Sequence, residues 1–202
     1  TLIRLINGLI PSFYSGELSG SVLINGKAVK ETPLYQLAEQ VGSVFQNPRS
    51  QFFNVDTDSE MVFGMENLAW TREKMTERLT KTIRDLQIET LSGRRVAALS
   101  GGEKQKVAFA SIYALSPDIY LLDEPSSNLD TAAIESLRKI VVLLKKQGKT
   151  IVIAEHRIHY LKDIADRILY MEHGTIQQSL TSEQVCNISE ADRCTMGLRT
   201  MD

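Results

Sequence analysis

The chain has 202 residues, of which 43% are hydrophobic and 24% are charged, and its formal net charge at pH 7 is −2. A chain of this length and composition can bury a hydrophobic core as one large domain or two small ones. The small net charge gives no reason to expect nucleic acid or an anionic membrane surface as a partner. No apolar run approaches the roughly 20 residues of a membrane-spanning helix.

The cysteine content indicates the compartment. Cys186 and Cys194 stand near the C-terminus. Two cysteines in a chain of this size are typical of a reducing compartment rather than of a disulfide framework. The sequence therefore predicts a cytosolic protein, and a metal site made from this pair and a histidine is the less favoured alternative.

The first quarter of the chain predicts a helix, a hairpin, a short helix and a short buried strand, over residues 1–10, 21–26, 34–40 and 41–45. Pro11 is expected to end the first helix. Asn25-Gly26 is a strong signal for a type I′ hairpin turn. The polar Gln46 comes directly after the buried strand, and an ordinary loop residue is the alternative to a functional role for it.

The middle of the chain mixes apolar and acidic residues before an amphipathic helix. Residues 51–67 include Phe52 and Phe53, and core packing is the ordinary explanation for most of the apolar side chains there. Apolar residues at helical spacing with a charged outer face predict a helix over residues 71–91. Residues 89–96 then form the predicted connecting loop.

The stretch from Leu99 to Asp130 is the most informative part of the sequence, and it opens with Ser100-Gly101-Gly102 at the start of a helical pattern. A serine and two glycines at a helix N-terminus offer free backbone N–H groups, a hydroxyl and the positive end of the helix dipole. That combination suits an anion such as phosphate. A flexible loop or a helix cap is the ordinary alternative.

The same stretch ends on a strand that carries carboxylates. The apolar run 119–122 predicts a buried strand, and it stops at Asp123 and Glu124. Two carboxylates at the carboxyl end of a buried strand lie where open α/β sheets bind ligands. A polar start to a loop is the alternative.

The last third repeats the alternation of helix and strand. An amphipathic helix is predicted over residues 131–147, a buried strand over 150–154, and a strand with its return over 166–171 and 175–177. His156 follows the buried strand, one strand–helix–strand unit after Asp123, so both are expected at the same edge of the sheet. Buried strands that alternate with amphipathic helices predict a parallel α/β sheet.

Three consecutive segments resemble the motifs of ATP-binding-cassette (ABC) ATPases. Leu99–Gln105 is similar to the family signature, Ile119–Pro125 to the Walker B strand, and Ser126–Asp130 to the D-loop that follows it. Glu103 stands where the family more often has Gln. The resemblance implies a P-loop NTPase α/β core of the ABC type, with a parallel sheet, a small N-terminal antiparallel β region and an inserted helical subdomain.

The resemblance also implies a domain division. The ATPase core would comprise residues 1–46 and 115–178, and the helical subdomain with the signature motif would comprise residues 47–114. Residues 179–202 would form a C-terminal extension or linker.

The resemblance implies ATP and Mg²⁺ as cofactors and gives roles to residues of this sequence. Asp123 would hold Mg²⁺, Glu124 would be the general base, and Gln46 would reach Mg²⁺ and the attacking water. His156 would contact the γ-phosphate. The nucleotide of a partner subunit would be contacted by the signature turn and the D-loop, through Ser100, Gly101, Gly102 and Asp130.

The family's phosphate-binding loop, GxxGxGK[ST], has no counterpart in this sequence. By the resemblance Thr1 would follow that loop directly and lie near the nucleotide. The chain is therefore expected to be a fragment of a longer protein, and to bind ATP weakly and be inactive on its own. A degenerate ATPase that does not bind nucleotide is the alternative.

The run from Gln46 to Asn67 is similar to that of energy-coupling-factor and cobalt-type importers. This implies an ATPase subunit that powers vitamin or transition-metal ion uptake, at the inner face of the cell membrane. Its partners would be a second ATPase subunit or domain in a head-to-tail dimer and a transmembrane subunit docked near Gln46–Phe53, with no nucleic acid. A soluble non-transport ABC ATPase and a non-catalytic pseudo-ATPase are the alternatives.

Overall fold

The structure is a computed structural model that describes residues 2–47, 51–127, 129–189 and 196. Its N-terminal segment forms two short helices, α1 (Leu2–Ile6) and α2 (Leu9–Ser12), so the prediction of one helix ended by Pro11 is wrong. The break lies at Gly8, which has a φ of +76°. A Cβ on Gly8 would also lie 2.7 Å from Cδ2 of Leu37, so glycine is required there by both conformation and space.

A small antiparallel hairpin follows, as predicted. Strands β1 (Leu23–Ile24) and β2 (Lys27–Ala28) pair in antiparallel register. Both residues of the turn between them have positive φ, +50° at Asn25 and +78° at Gly26. Positive φ at both central residues defines the type I′ turn that Asn-Gly predicts.

The centre of the molecule is a three-stranded parallel sheet in the order β3-β4-β5, which confirms the predicted α/β class. Its strands are β3 (Val41–Val44), β4 (Ile119–Asp123) and β5 (Thr150–Ala154). Helix α3 (Leu34–Gln40) leads directly into β3. The crossover from β4 to β5 contains one long helix, Thr131–Lys146, which Asp130 caps.

The two faces of the sheet pack against different elements because successive residues of a strand point to opposite sides. On one face Leu121 packs with Val41 of β3, and the same cluster includes Ile3 of α1 and Leu37 of α3. On the other face the flanking Tyr120 and Leu122 of β4 lie in the main core. That core includes these buried residues from the strands and helices around them: Val44, Phe109, Tyr113, Ile134, Leu137, Val141, Leu144 and Tyr160.

Among the described residues, three α-helices lie between β3 and β4 in sequence: α4 (Thr57–Asn67), α5 (Arg72–Leu86) and α6 (Gly101–Leu115). They share a separate hydrophobic cluster that includes Met61 and Val107. Helix α6 also supplies Phe109 to the main core, so it connects the two clusters. The helix predicted to reach residue 91 ends at Leu86, and the predicted boundaries of a helical subdomain at 47 and 114 stay a prediction.

The remaining elements are α7 (Thr131–Lys146), the antiparallel strands β6 (Ile168–Glu172) and β7 (Thr175–Leu180), and α8 (Ser182–Cys186). The predicted return strand 175–177 thus continues three residues further. Cys186 is exposed and makes no disulfide, and Cys194 lies outside the described residues. In the part of the chain that the structure describes, no helix has the length and apolar character to cross a bilayer.

Candidate active site at the carboxyl edge of the sheet

The three parallel strands end side by side, each followed by polar residues. Gln46 follows β3, Glu124 follows Asp123 at the end of β4, and Glu155-His156 follows β5. The register pairs Asp123 with Ala154, so the ends of β4 and β5 are level. The sheet topology therefore collects side chains that are far apart in sequence at one edge, as the sequence predicts.

Glu124 is the centre of this edge. Its Oε2 atom accepts a hydrogen bond of 2.7 Å from Nε2 of Gln46, and its Oε1 atom lies 3.4 Å from Nε2 of His156. The side chain of His156 is 72% exposed and that of Glu124 is 31% exposed. A carboxylate that solvent can reach and that contacts an amide and an imidazole can accept a proton from a water molecule.

The backbone of Glu124 has an uncommon conformation, with a φ of +45°. A residue with a side chain is rarely found in the left-handed region, and such residues concentrate at functional sites. The peptide is held there by a 2.8 Å hydrogen bond from Glu124 N–H to the Ala154 carbonyl, and by Ser127 N–H, which donates to the Glu124 carbonyl. The turn that projects Glu124 is thus fixed by the neighbouring strand.

Asp123 lies immediately before this turn and is half-buried at the end of β4. Carboxylate and amide oxygens are the side-chain ligands that suit Mg²⁺. Because Nε2 of Gln46 points to Glu124, the Oε1 atom of the same amide is the one that could ligate a cation. Asp123 and the amide oxygen of Gln46 are thus donors of the kind that suit a magnesium ion at this edge.

Ser100 caps helix α6, and the hydrogen bonds of its turn are local. Its Oγ accepts from Glu103 N–H at 3.3 Å, and Oε2 of Glu103 accepts from Ser100 N–H at 2.7 Å, which together form a capping box. The Arg94 guanidinium lies 2.6 Å from Oε1 of Glu103. The bond from Ser100 N–H, and then the Arg94 contact, lower the pKa of Glu103 from 4.5 to about 2.

The two glycines of this turn differ in their surroundings. A Cβ on Gly101 would meet no heavy atom within 4 Å, so that position faces open space. A Cβ on Gly102 would lie 3.6 Å from the Cβ of Ala133 in the first turn of α7. Asp130 caps α7 by accepting a 2.8 Å bond from Ala133 N–H. The first turns of α6 and α7 are therefore neighbours, whereas Thr1, the remaining predicted site residue, lies outside the described residues.

Glu155 was not predicted as a site residue, although its carboxylate accepts hydrogen bonds from both loops at this edge. Oε1 accepts from the N–H groups of His156 (2.8 Å) and Arg157 (3.1 Å). Oε2 accepts from Ser126 N–H (3.3 Å) and from the Tyr160 hydroxyl (3.0 Å). Burial, and then the charge of Glu155, raise the pKa of Tyr160. The available signal was a carboxylate directly after a strand, the same signal that identified Asp123 and Glu124.

Most of the residues of this site lie in a region that matches a known protein family. Residues 1–127 match the model of the family described as ABC transporter. The chain belongs to the ABC transporter family. The matched range includes Gln46, the signature turn at Ser100–Gly102, and Glu124, whereas His156 lies after it.

Relatives of this ABC chain extend over nearly all of it. A Treponema denticola protein that bears the name of an ABC transporter ATP-binding protein is 54% identical over 199 residues, which is 98% of this chain and 41% of that protein. A Pyrococcus abyssi protein with a similar name is 37% identical over 92% of this chain and 66% of its own length. The chain thus spans less than half the length of the Treponema relative.

A solved structure supports the same fold. The chain is similar to cbiO1 from Clostridium perfringens, described as part of the ABC transporter complex cbiONQ, with a TM-score of 0.82 and 27% identity. The match covers 96% of this chain and 76% of that one. The α/β fold with its parallel sheet is therefore that of an ABC ATPase core.

Proposed function

We propose that the protein containing this chain hydrolyses ATP as the ATP-binding subunit of an ABC transporter. The observation that carries the proposal is the contact of Glu124 with both Gln46 and His156 at the edge of the sheet. Glu124 is the general base that polarises the attacking water, Gln46 orients that water, and His156 contacts the γ-phosphate. These roles agree with the chemistry of phosphoryl transfer, in which catalysis depends mainly on positioning and charge neutralisation.

ATP and Mg²⁺ are the cofactors of this proposal. Asp123 and the amide oxygen of Gln46 would hold Mg²⁺. The bound cation neutralises charge that develops on the phosphates. The imidazole of His156 is exposed beside Glu124, so it can donate to a phosphate oxygen.

The signature turn acts on the nucleotide of a second ATPase subunit or domain in a head-to-tail dimer. The capping box of Ser100 fixes the first turn of α6, and Gly101 faces open space, so its backbone is accessible to a phosphate from outside the chain. Free N–H groups at a helix N-terminus favour such an anion. Asp130, which caps the adjacent helix, lies at the same interface.

We place the transporter among importers of the energy-coupling type, for a vitamin or a transition-metal ion. The transmembrane subunit docks near Gln46–Phe53, because Phe53 is 75% exposed and stacks on Phe63 with ring centroids 5.2 Å apart. Similarity to cbiO1 of the cbiONQ complex supports this choice. By docking there, the ATPase subunit lies at the inner face of the membrane. Residues 47–114 form the helical subdomain of the ATPase subunit.

The substitution Glu124→Gln tests the proposal in the full-length protein with its transporter partner. Glutamine keeps the shape of the side chain but removes the base, so turnover should fall by about 10²- to 10⁴-fold while ATP binding is retained. The measurement is steady-state phosphate release together with calorimetric ATP binding.

The matched control is Glu135→Gln on the exposed side of α7, which makes the same chemical change and should leave turnover as it was. A normal rate for Glu124→Gln, in a protein where the control is also normal, would remove Glu124 from its role. A native protein that neither binds nor hydrolyses ATP would overturn the proposed function itself.

A further inference from the structure

The carboxylate of Glu155 has an unusual concentration of hydrogen bonds for a loop residue. Each of its oxygens accepts two bonds, from the N–H groups of His156 and Arg157 at Oε1, and from Ser126 N–H and the Tyr160 hydroxyl at Oε2. An ionised carboxylate is a pure acceptor with about four lone-pair directions. This side chain therefore uses its full acceptor capacity within the protein.

These bonds join the two loops that carry the site. Ser126 lies two residues after Glu124 in the turn that follows β4, and His156 lies in the loop after β5. A second contact runs between the same loops, since the Arg157 guanidinium donates to the Ser126 carbonyl at 3.4 Å. The peptide groups on both sides of Ser126 are thus held by residues that flank His156.

The position of the His156 side chain depends on its backbone. The imidazole is 72% exposed, and its recorded polar contact is the one at 3.4 Å to Glu124. Packing against neighbours contributes little at that exposure, so the ring is aimed mainly by the peptide of His156. The N–H of that peptide is bonded to Glu155.

We propose that Glu155 is a positioning residue of the hydrolysis site: its carboxylate fixes the spacing between the Glu124 turn and His156. The inference rests on the proposed ATPase function. Glu155 itself touches neither of the reacting groups assigned above. It acts through the two backbone segments that present Glu124 and His156.

Glutamine at position 155 can keep the hydrogen bonds to the loop after β5 while it loses the bond to the loop after β4. It is as long as glutamate and can still accept from His156 and Arg157 through its oxygen. Its NH₂ group would then face Ser126 N–H, a donor against a donor, so the bond between the two loops is lost. The Tyr160 hydroxyl can rotate and accept instead, so the buried tyrosine keeps a partner.

The experiment measures ATP hydrolysis by Glu155→Gln in the full-length protein with its transporter partner. We expect kcat to fall by about 10- to 100-fold, the effect of a small misplacement of reacting groups, with KM for ATP changed by less than about threefold. In the double variant Glu155→Gln/His156→Ala, the loss of kcat should be smaller than the product of the two single losses, because part of the effect of Glu155 acts through His156.

The control is Glu172→Gln at the exposed end of β6, which should retain the wild-type kcat. If Glu155→Gln does not fold, Glu155→Asp keeps the charge but shortens the reach by one methylene, and the same loss of kcat is expected. Wild-type kcat in the folded variant, or losses that multiply with His156→Ala, would overturn the inference. An inactive wild-type protein would instead overturn the proposed function.

Discussion

The edge of the sheet and the signature turn hold their polar groups in different ways. At the edge, Gln46, Glu124 and His156 come from three strands, and Gln46 is 78 positions from Glu124 in sequence. At the signature turn, Ser100 and Glu103 satisfy each other across three positions. The first arrangement exists only when the sheet is formed, whereas the second needs little more than the first turn of α6.

This difference determines what each region is sensitive to. The edge is vulnerable to changes far from it that shift one strand relative to the next. The signature turn is vulnerable to changes in its own four residues and in Arg94. Substitutions that disturb only one of the two regions can therefore test this difference.

The largest loss of stability is expected from a substitution at Gly42 in β3, the strand that leads to Gln46. A Cβ there would lie 2.2 Å from Cγ2 of Ile112 in α6 and 2.8 Å from Cγ of Pro117. Gly42→Ala should destabilise the protein by about 1–3 kcal/mol through overpacking. It should also lower turnover, because β3 and Gln46 must move. Chemical denaturation and phosphate release measure the two effects.

Removing the clashing atom gives the control for Gly42. In Gly42→Ala/Ile112→Ala the methyl of Ile112 is absent, so the double variant should lose less stability than the two single losses added together. Strictly additive losses would show that the clash with Ile112 is not what destabilises Gly42→Ala.

The sequence predicts the strands and the residues at their ends because both depend on local patterns. A buried run followed by polar residues identifies Asp123, Glu124 and His156, and Asn25-Gly26 identifies the hairpin. Parallel pairing then places the strand ends together, which the register of Asp123 and Ala154 confirms. These features follow from periodicity and turn chemistry.

Other features depend on contacts between distant segments and could not be predicted from the sequence alone. The first helix breaks at Gly8, where the backbone has a positive φ and a Cβ would meet Leu37, a contact between segments that are distant in sequence. The four bonds to Glu155 depend on how the loops after β4 and β5 meet, so its position directly after a strand marks it as a candidate but does not predict those bonds. Nor does the sequence show that Gly42 lies against α6.

A smaller loss of stability is expected at Ser100, where the hydrogen bonds join residues three positions apart. Ser100→Ala removes the oxygen that accepts from Glu103 N–H and should cost about 1 kcal/mol, as is typical for loss of an N-cap. Thermal unfolding measures this loss. The variant should also lower hydrolysis in the assembled dimer, since the same turn is proposed to bind the partner's nucleotide.

Thr71→Ala provides a matched control, because Thr71 caps α5 in the same way but lies outside both proposed regions. It should cost similar stability and leave turnover near the wild-type value. Equal losses of turnover in the two variants would mean that Ser100 acts only as a helix cap.

The smallest effect on stability is expected at Glu103, because solvent screens the charge of its exposed carboxylate. Its folded-state pKa of about 2 lies below the ordinary value of 4.5, so the carboxylate contributes stability that is present above pH 4.5. That contribution is lost as the pH falls from 4.5 towards 2. Glu103→Gln has no carboxylate to protonate, so its free energy of unfolding should fall less steeply over this range.

Denaturation at a series of pH values, with exposed Glu77→Gln in α5 as the control, measures the difference. Parallel curves for the wild type and Glu103→Gln would show that the bonds from Ser100 N–H and Arg94 do not stabilise the turn, and that its order comes from the rest of α6.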